Sequence, residues 1–398
     1  MKIKKHNRFL PYGRQVINQD DINSVLEVLE HDYITQGPRI QEFETRFANY
    51  VGSKHAVACF NGTAALHMAC QAIGLRKGDK LVTSPITFIA SANCAQFVGA
   101  DTTFVDINFD DYTISVKELE KFLDKENVDV VVPVHYAGQS AKMKQIYELK
   151  KKYNYYIIED ACHALGGRYL NSKIGSCMYS DLSIFSFHPV KHITTGEGGV
   201  VTTNDKVYYE KLLLYRNHGI HKETELFKNK TMAFDEDGNQ NIWYYEMEEL
   251  GHNYRITDIQ CGLGLSQLKK IDQFVERRRE IASMYNDGFN DNEYIKIPRV
   301  VSGVKHSYHL YPIQIDFVSL GENRNTIMKR LIKMNVGSQV LYIPVHLQPY
   351  YSNKYGFKYG DYPNSEKFYE NCLSIPMFPS LTDSEVKYII SVVNSIVS

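Results

Sequence analysis

The chain has 398 residues, 43% of them hydrophobic, enough for roughly two or three domains with sizeable cores. Its 45 lysines and arginines against 46 aspartates and glutamates leave a net charge of −1. No overall field therefore draws it to nucleic acid or anionic lipid, and a phosphorylated ligand must be met by local chemistry. The N-terminal MKIKKHNRFLPYG is basic but has no apolar stretch, and no unbroken apolar run of roughly 18 residues occurs, which predicts a cytoplasmic protein that is neither secreted nor membrane-spanning. The cysteines, Cys59, Cys70, Cys94, Cys162, Cys177, Cys261 and Cys372, form no Cys-x-x-Cys pair and mostly lie in apolar strings. They read as reduced core thiols.

In the first half, short apolar runs alternate with helical patterns. KLVTSP, TTFVDI, VDVVVPVHY, YYIIED and DLSIFSF read as strands, and segments near 63–74, 87–98, 115–123 and 141–153 as helices. That alternation predicts a mainly parallel sheet covered on both faces. Residues 221–241 are polar and almost free of apolar periodicity, which predicts a long loop. Beyond it, 256–284 reads as one helix carrying the chain out of a large domain, 1–265. The remainder, 266–398, has a strand at VKHSYHLYPIQI and amphipathic helices at NRNTIMKRLIKM and DSEVKYIISVVNSIV, as expected of a smaller α+β domain. Neither internal repeats nor low-complexity segments are evident.

Three local features suggest chemistry. Lys191 lies in SIFSFHPVKHITTGEGGVVTTND, where one apolar strand breaks into a turn and another begins after a Thr-Thr-Gly-Glu-Gly-Gly run. A lysine has an ordinary pKa near ~10.4 and becomes a nucleophile when its surroundings favour the neutral amine; a loop between buried strands offers such surroundings, although a solvated turn lysine has the same local sequence. Asp160 ends the strand in YYIIEDACHALGG, at the sheet edge where open α/β folds bind ligands. Its carboxylate would keep a nearby pyridine nitrogen protonated, opposite charges about 4 Å apart being worth roughly 4 kcal/mol at an effective dielectric near 20. An aspartate capping the next helix fits equally well. Asn61-Gly62-Thr63 opens an apolar helix whose free N–H groups attract phosphate, with Ser186 as a second donor, and ordinary capping is the alternative. His188 and His192 are spaced like helical metal ligands, but Pro189 and the glycine run argue against a helix and no third ligand is near in sequence. No metal is expected.

A phosphate cradle, a strand-end aspartate and a turn lysine occur here in the chain order of fold-type I pyridoxal 5′-phosphate enzymes. NGTAAL, PITFIASAN, IIEDACHALGG, SFHPVKHITTGEGG, GHNYRITDIQ and YIPVHLQPYY follow one another as in the nucleotide-sugar aminotransferase family, often called the DegT/DnrJ/EryC1/StrS family, and the resemblance runs from about residue 9 to the end. RFLPYGRQVI, WYYEMEELGHNYRITDIQ and FSFHPVKHITTGEGG are most similar to members of the pseudaminic acid pathway.

The resemblance implies a fold-type I transferase with pyridoxal 5′-phosphate as cofactor. Its substrates would be L-glutamate as amino donor and a UDP-linked 4-keto-6-deoxy-N-acetylhexosamine as acceptor. Lys191 would bind the cofactor as a Schiff base and then move a proton, Asp160 would pair with the ring nitrogen, and His163 would stand near the ring hydroxyl. Phe88 would stack on the ring, and Gly62, Thr63, Ala64 and Ser186 would hold the phosphate. Asn253 would reach the phosphate from the other chain of a homodimer with shared active sites. His188, Tyr12, Tyr342 and His346 match segments that contact the sugar. Family relatives that dehydrate sugars replace the lysine with histidine, so Lys191 argues against that reaction. Retention of both Lys191 and Asp160 argues against a silent binding protein. With neutral charge and no basic helix, nucleic-acid binding has no support.

Overall fold

The structure, a computed structural model, describes residues 3–31 and 33–398. Two helices, α1 (Gln19–His31) and α2 (Pro38–Val51), precede the alternating elements β1 (His55–Cys59), α3 (Gly62–Ala72), β2 (Lys80–Thr83), α4 (Ala90–Phe97), β3 (Asp101–Phe104), α5 (Val116–Leu123), β4 (Val130–Val132), α6 (Met143–Tyr153) and β5 (Tyr156–Asp160). After a small hairpin, β6 (Arg168–Tyr169) and β7 (Ser172–Lys173), come β8 (Leu182–Ser186), β9 (Gly199–Thr203) and α7 (Lys206–Arg216).

The central sheet has the strand order β1-β9-β8-β5-β4-β2-β3. β3, β2, β4, β5 and β8 pair in parallel, whereas β9 is antiparallel to both β8 and β1; β9 alone is reversed. A sheet covered on both faces needs strands that are apolar throughout, and the Val130-Val131-Val132 run shows why. Val130 and Val132 join the core that contains Leu66 and Met68 of α3. Val131, pointing the other way, joins Leu119 of α5 and Ile146 of α6.

The segment predicted as a loop, 221–241, is largely irregular but holds short pieces: β10 (Ile220–His221), α8 (Lys230–Ala233) and, just beyond it, β11 (Glu246–Met247), which pairs with β10. The single helix expected over 256–284 is two, α9 (Asp258–Leu268) and α10 (Ile271–Phe289). The break at Lys269–Lys270 lets Lys270 Nζ reach the buried Asp21 carboxylate at 2.6 Å. It also separates a helix packed against α1 and α2 from one that changes cores along its length. Phe274 and Val275 pack with the large unit, whereas Ile281, Tyr285 and Phe289 pack with the C-terminal one. The change from one core to the other thus falls within α10.

The remaining elements are β12 (Ile295–Lys296), β13 (Val304–Lys305), β14 (Tyr311–Ile315), α11 (Phe317–Leu320), α12 (Arg324–Lys333), α13 (Pro349–Tyr355), α14 (Pro363–Asn371), β15 (Cys372–Ile375) and α15 (Asp383–Ile396). β13 pairs with β6, and Tyr351 of α13 packs with Ala92 and Phe104 of the large unit. β12, β14, β15 and α15 form the core of the C-terminal unit. The strand expected over 304–315 is interrupted, because Ser307 and Leu310 donate their N–H groups to Gly138 and Ala137 of the large unit instead of continuing a ladder. The chain's beginning belongs to this unit too. Leu10 is buried in its core and bridges Val336, and Arg8 pairs with Glu385. The cysteines are free, all but Cys162 buried. Among the described residues no helix is long and apolar enough to cross a membrane.

Candidate active site

Two adjacent strands, β5 and β8, and β1, separated from β8 by β9, deliver their ends to one place. β5 ends at Asp160, β8 ends at Ser186, and β1 leads through Asn61 into α3. Between β8 and β9 the chain folds on itself: Phe187 N–H donates to Gly198 O at 2.8 Å, Thr195 N–H to Phe187 O at 3.1 Å, and Lys191 N–H to His188 O at 2.8 Å. Thr194 Oγ1 donates to Phe187 O at 2.9 Å and accepts from Gly196 N–H at 3.0 Å. The Thr-Thr-Gly-Glu-Gly-Gly run thus closes a tight loop that holds Lys191 over the carboxyl edge of the sheet.

A cavity of about 380 Å³ lies there, and Lys191, Asp160, Gly62, Thr63, Ser186 and Phe88 all line it. Burial pulls the Lys191 amine below its ordinary pKa, with Cys162 and Asp160 opposing the shift, so the neutral nucleophile becomes more accessible than on a solvated turn. Asp160 accepts from Ser91 Oγ at 2.5 Å and from Cys162 N–H at 3.1 Å. Thr87 Oγ1 lies 2.8 Å from Ser91 Oγ. Phe88 is 55% exposed, which excludes the core-packing role common for phenylalanine and leaves its ring facing the cleft beside Tyr342, with centroids 6.0 Å apart.

At the start of α3, Asn61 caps the helix by accepting from Ala64 N–H at 2.8 Å. The Ala64 N–H is taken by this cap, and Ala64 is buried and does not line the cavity. Gly62 and Thr63 occupy the first helical positions, where N–H groups have no partner within the helix. A Cβ on Gly62 would lie 2.9 Å from Ser186 Cβ, and one on Gly199 would lie 2.4 Å from Asn61 O. A side chain at either position would collide with these neighbours and push β8, β9 and the start of α3 apart.

The remaining candidates separate. Tyr12, His188 and Tyr342 line the same cavity, with His188 exposed. His163 is buried, with Nε2 3.0 Å from Tyr342 Oη. His346 does not face the cleft. It is fully buried, 3.0 Å from Glu366 Oε1 and packed edge-on against Tyr362, so its role is to tie α14 to the preceding segment. Asn253 is exposed and pairs through its backbone with Asn217, away from this chain's own cleft. His192 is buried with Nε2 on Ser307 O and does not converge with His188. His221, Glu246 and Glu248 offer ligand atoms within 4.8 Å of one another, but Glu246 accepts from Lys228 N–H, Asn229 N–H and Tyr244 Oη, and Glu248 from Lys228 Nζ.

Sequence reasoning missed Ser91, Thr87, Cys162 and Glu197, all of which line the cavity. Ser91 had a legible signal, a hydroxyl in the first turn of an alanine-rich helix three positions after Phe88. A larger cavity of about 830 Å³ lies beside α2 and α7 and contains none of these residues.

An amine of lowered basicity, a carboxylate at a strand end, an exposed aromatic ring and the open start of a helix around one cavity are the features of a pyridoxal 5′-phosphate-dependent aminotransferase of fold type I. The chain matches the DegT/DnrJ/EryC1/StrS aminotransferase family over residues 15–394 and belongs to it. It is 38% identical over 383 residues, 96% of this chain and 95% of the relative, to the UDP-4-amino-4,6-dideoxy-N-acetyl-beta-L-altrosamine transaminase of Campylobacter jejuni. Its fold is similar to that of Helicobacter pylori PseC, an aminotransferase involved in the biosynthesis of pseudoaminic acid, with TM-score 0.89, 32% identity and coverage of 98% and 99% of the two chains. The PLP-form of Spr1654 from Streptococcus pneumoniae is also similar, with TM-score 0.86, 28% identity and 98% of each chain covered.

Proposed function

We propose that the chain transfers an amino group from L-glutamate to the C4 keto carbon of a UDP-linked 4-keto-6-deoxy-N-acetylhexosamine in pseudaminic acid biosynthesis, as a homodimer with shared active sites. One observation carries the chemistry: Lys191 and Asp160 open onto one cavity whose far wall is the α3 cradle. The Campylobacter and Helicobacter relatives support the choice of sugar. The homodimer is supported by Ile242, Trp243 and Leu250, which are 90%, 71% and 77% exposed on the segment leading to Asn253, an apolar surface that a second copy would cover.

Pyridoxal 5′-phosphate, when bound, supplies an aldehyde that captures amines and a ring that withdraws electrons from the carbon bearing the captured nitrogen. Gly62, Thr63 and Ser186 would hold its phosphate, Asp160 its ring nitrogen and Phe88 its face. Lys191 would hold the aldehyde, and its amine is the group placed to take a proton from the donor's Cα and return one on the other side of the transfer. His188 and Tyr12, which line the same cavity, would contact the sugar.

The test is a panel of UDP- and dTDP-linked 4-keto sugars incubated with glutamate, scored by 2-oxoglutarate release and by the configuration at the aminated carbon. The UDP-linked 4-keto-6-deoxy-N-acetylhexosamine should be converted fastest, and Lys191→Ala should release none. Conversion of a different sugar alone would reassign the substrate, and no release with any of them would remove the proposal.

A further inference from the structure

We infer that Ser91, backed by Thr87, is a positioning residue that keeps the Asp160 carboxylate from pairing with Lys191, so that two opposite charges sharing one cavity stay apart and the amine stays free. Both groups line the cavity, yet among the described residues no ion pair joins them and Lys191 Nζ has no hydrogen-bond partner. Opposite charges in a cleft poor in water attract strongly, so one of them must be restrained. The restraint is on the carboxylate. Cys162 N–H holds one of its oxygens and Ser91 Oγ the other, at 3.1 and 2.5 Å. An ionised carboxylate only accepts, so Ser91 spends its single proton on Asp160, and Thr87 Oγ1, 2.8 Å from Ser91 Oγ, donates to Ser91 in turn. Thr87 and Ser91 are 1% and 0% exposed, so neither hydroxyl has bulk water as another partner, and breaking the chain would strand a buried polar group.

Strand order gives this tether its direction. Asp160 ends β5, which lies between β8 and β4, with β2 and β3 beyond β4. α4, which carries Ser91, packs on β2 and β3, whereas Lys191 follows β8 on the other side of β5. Ser91 therefore draws the carboxylate away from the side of the sheet that the lysine occupies. A neutral hydroxyl does so without cancelling the negative charge, as an arginine would, and leaves that charge for the ring nitrogen. Burial lowers the Lys191 amine, with Cys162 and Asp160 opposing the shift; a carboxylate that swung onto the amine would add to this opposition and hold the amine protonated. Lys191 shares its cavity with Tyr12, Cys162, His163, His188, Glu197 and Tyr342 as well, and a small pocket behind its loop with Arg14 and His192. An Asp160→Asn background separates their influence from that of the carboxylate.

The test uses the apoprotein, since the role of Ser91 rests on Lys191 and Asp160 sharing the cofactor site and not on the choice of sugar. Competitive labelling of Lys191 with acetic anhydride across pH, read by mass spectrometry of its peptide, gives the midpoint at which the amine becomes reactive. In Ser91→Ala this midpoint should rise by about 1–2 pH units, the shift of a group that gains an opposite charge within about 5 Å. At neutral pH, capture of pyridoxal 5′-phosphate, followed by its absorbance, should then slow roughly ten- to hundredfold. Ser91→Thr keeps the hydroxyl and should match the parent in both measurements. Thr87→Val leaves the Ser91 hydroxyl unsupported and should raise the midpoint by less than Ser91→Ala does. In the Asp160→Asn background Ser91→Ala should move the midpoint no further, because the amide has no charge to offer the amine. An unmoved midpoint in folded Ser91→Ala, or a shift that persists with Asp160→Asn, would overturn the inference; if Ser91→Ala does not fold, an unmoved midpoint in Thr87→Val would do the same. A protein that labels and captures the cofactor as expected but aminates no keto sugar would instead remove the proposed function and leave the role of Ser91 standing.

Discussion

Gly62→Ala tests the proposed phosphate site through the contact between α3 and the end of β8. The new methyl would lie 2.9 Å from Ser186 Cβ, 3.3 Å from Ser186 Oγ and 3.6 Å from Cys162 Sγ. Ordinary contacts begin near 3.4 Å, so α3 or the end of β8 must move by about 0.5 Å. Overpacking of this kind costs about 1–3 kcal/mol, and replacing a helical glycine returns up to about 1 kcal/mol. Urea unfolding of the apoprotein should show a net loss of about 1–2 kcal/mol. If the first N–H groups of α3 hold the phosphate, the same displacement weakens a charge-assisted hydrogen bond worth about 1.5–3 kcal/mol, which is roughly a ten- to hundredfold weaker Kd for pyridoxal 5′-phosphate. Adding Ser186→Gly removes the crowded Cβ and should restore much of the stability. It should not restore affinity, because the Ser186 hydroxyl is lost with it. Gly62→Ala protein that loses stability yet binds the cofactor as tightly as the parent would place the phosphate somewhere other than α3.

Lys191→Met should change how stability depends on pH. The native Lys191 pKa is lowered by burial and the unfolded value is near ~10.4, so between the two the unfolded chain holds more protons and stability rises with pH. Below the native value both states are charged and the burial penalty stands in full. In urea unfolding of the apoproteins, the parent should therefore gain on Lys191→Met as pH climbs toward ~10, and a difference that stays flat would contradict a buried amine. His346→Leu should lower stability by about 1–3 kcal/mol, the cost of depriving a buried partner of its hydrogen bond, while kcat/KM stays within a few-fold of the parent; a collapse of turnover in a stable protein would put His346 back in the site. Mixing Lys191→Ala chains with Asn253→Ala chains should recover about a quarter of the parent's sites, because half of randomly paired dimers are mixed and each mixed dimer holds one intact site. Recovery of none would show that Asn253 does not act across the interface.

The residues legible in the sequence are those whose placement is a local matter. Asp160, Ser186 and Gly62 follow strands recognisable from their apolar runs, and the Lys191 loop lies between two such strands. What each side chain meets across the fold was not legible. The hydrogen bond from Ser91 to Asp160 spans 69 positions and that between Tyr342 and His163 spans 179, and a local pattern encodes a face or a turn, not a distant partner. The partner of His346 was hidden for the same reason: a histidine near a proline turn has the same local sequence whether it faces a ligand or a buried glutamate 20 positions away, the neighbour it has here. The pieces within 220–247 are two to four residues long, shorter than one period of the signal that would reveal them. Ala64 was placed by its position in a motif, whereas the asparagine cap that takes its N–H depends on a rotamer.

The reversed strand explains why a lysine at this point of the chain can reach all the other groups. Were β9 parallel to β8, the connection would need a crossover of a dozen or more residues, usually a helix, running back along the sheet face. Because β9 is antiparallel, with Ser186 paired directly with Gly199, the intervening residues never leave the carboxyl edge. They fold over it, above Asp160 on one side and the start of α3 on the other. The pairing of Gly199 with Cys59 at the end of β1 brings Asn61 and Gly62 against the same edge, at a separation that only a glycine at 199 permits. Lys191, the Asp160 carboxylate and the α3 cradle therefore meet through strand order rather than through side-chain packing. Substitutions that disturb the β8–β9–β1 register should disable the amine and the anion site together, before they unfold the chain.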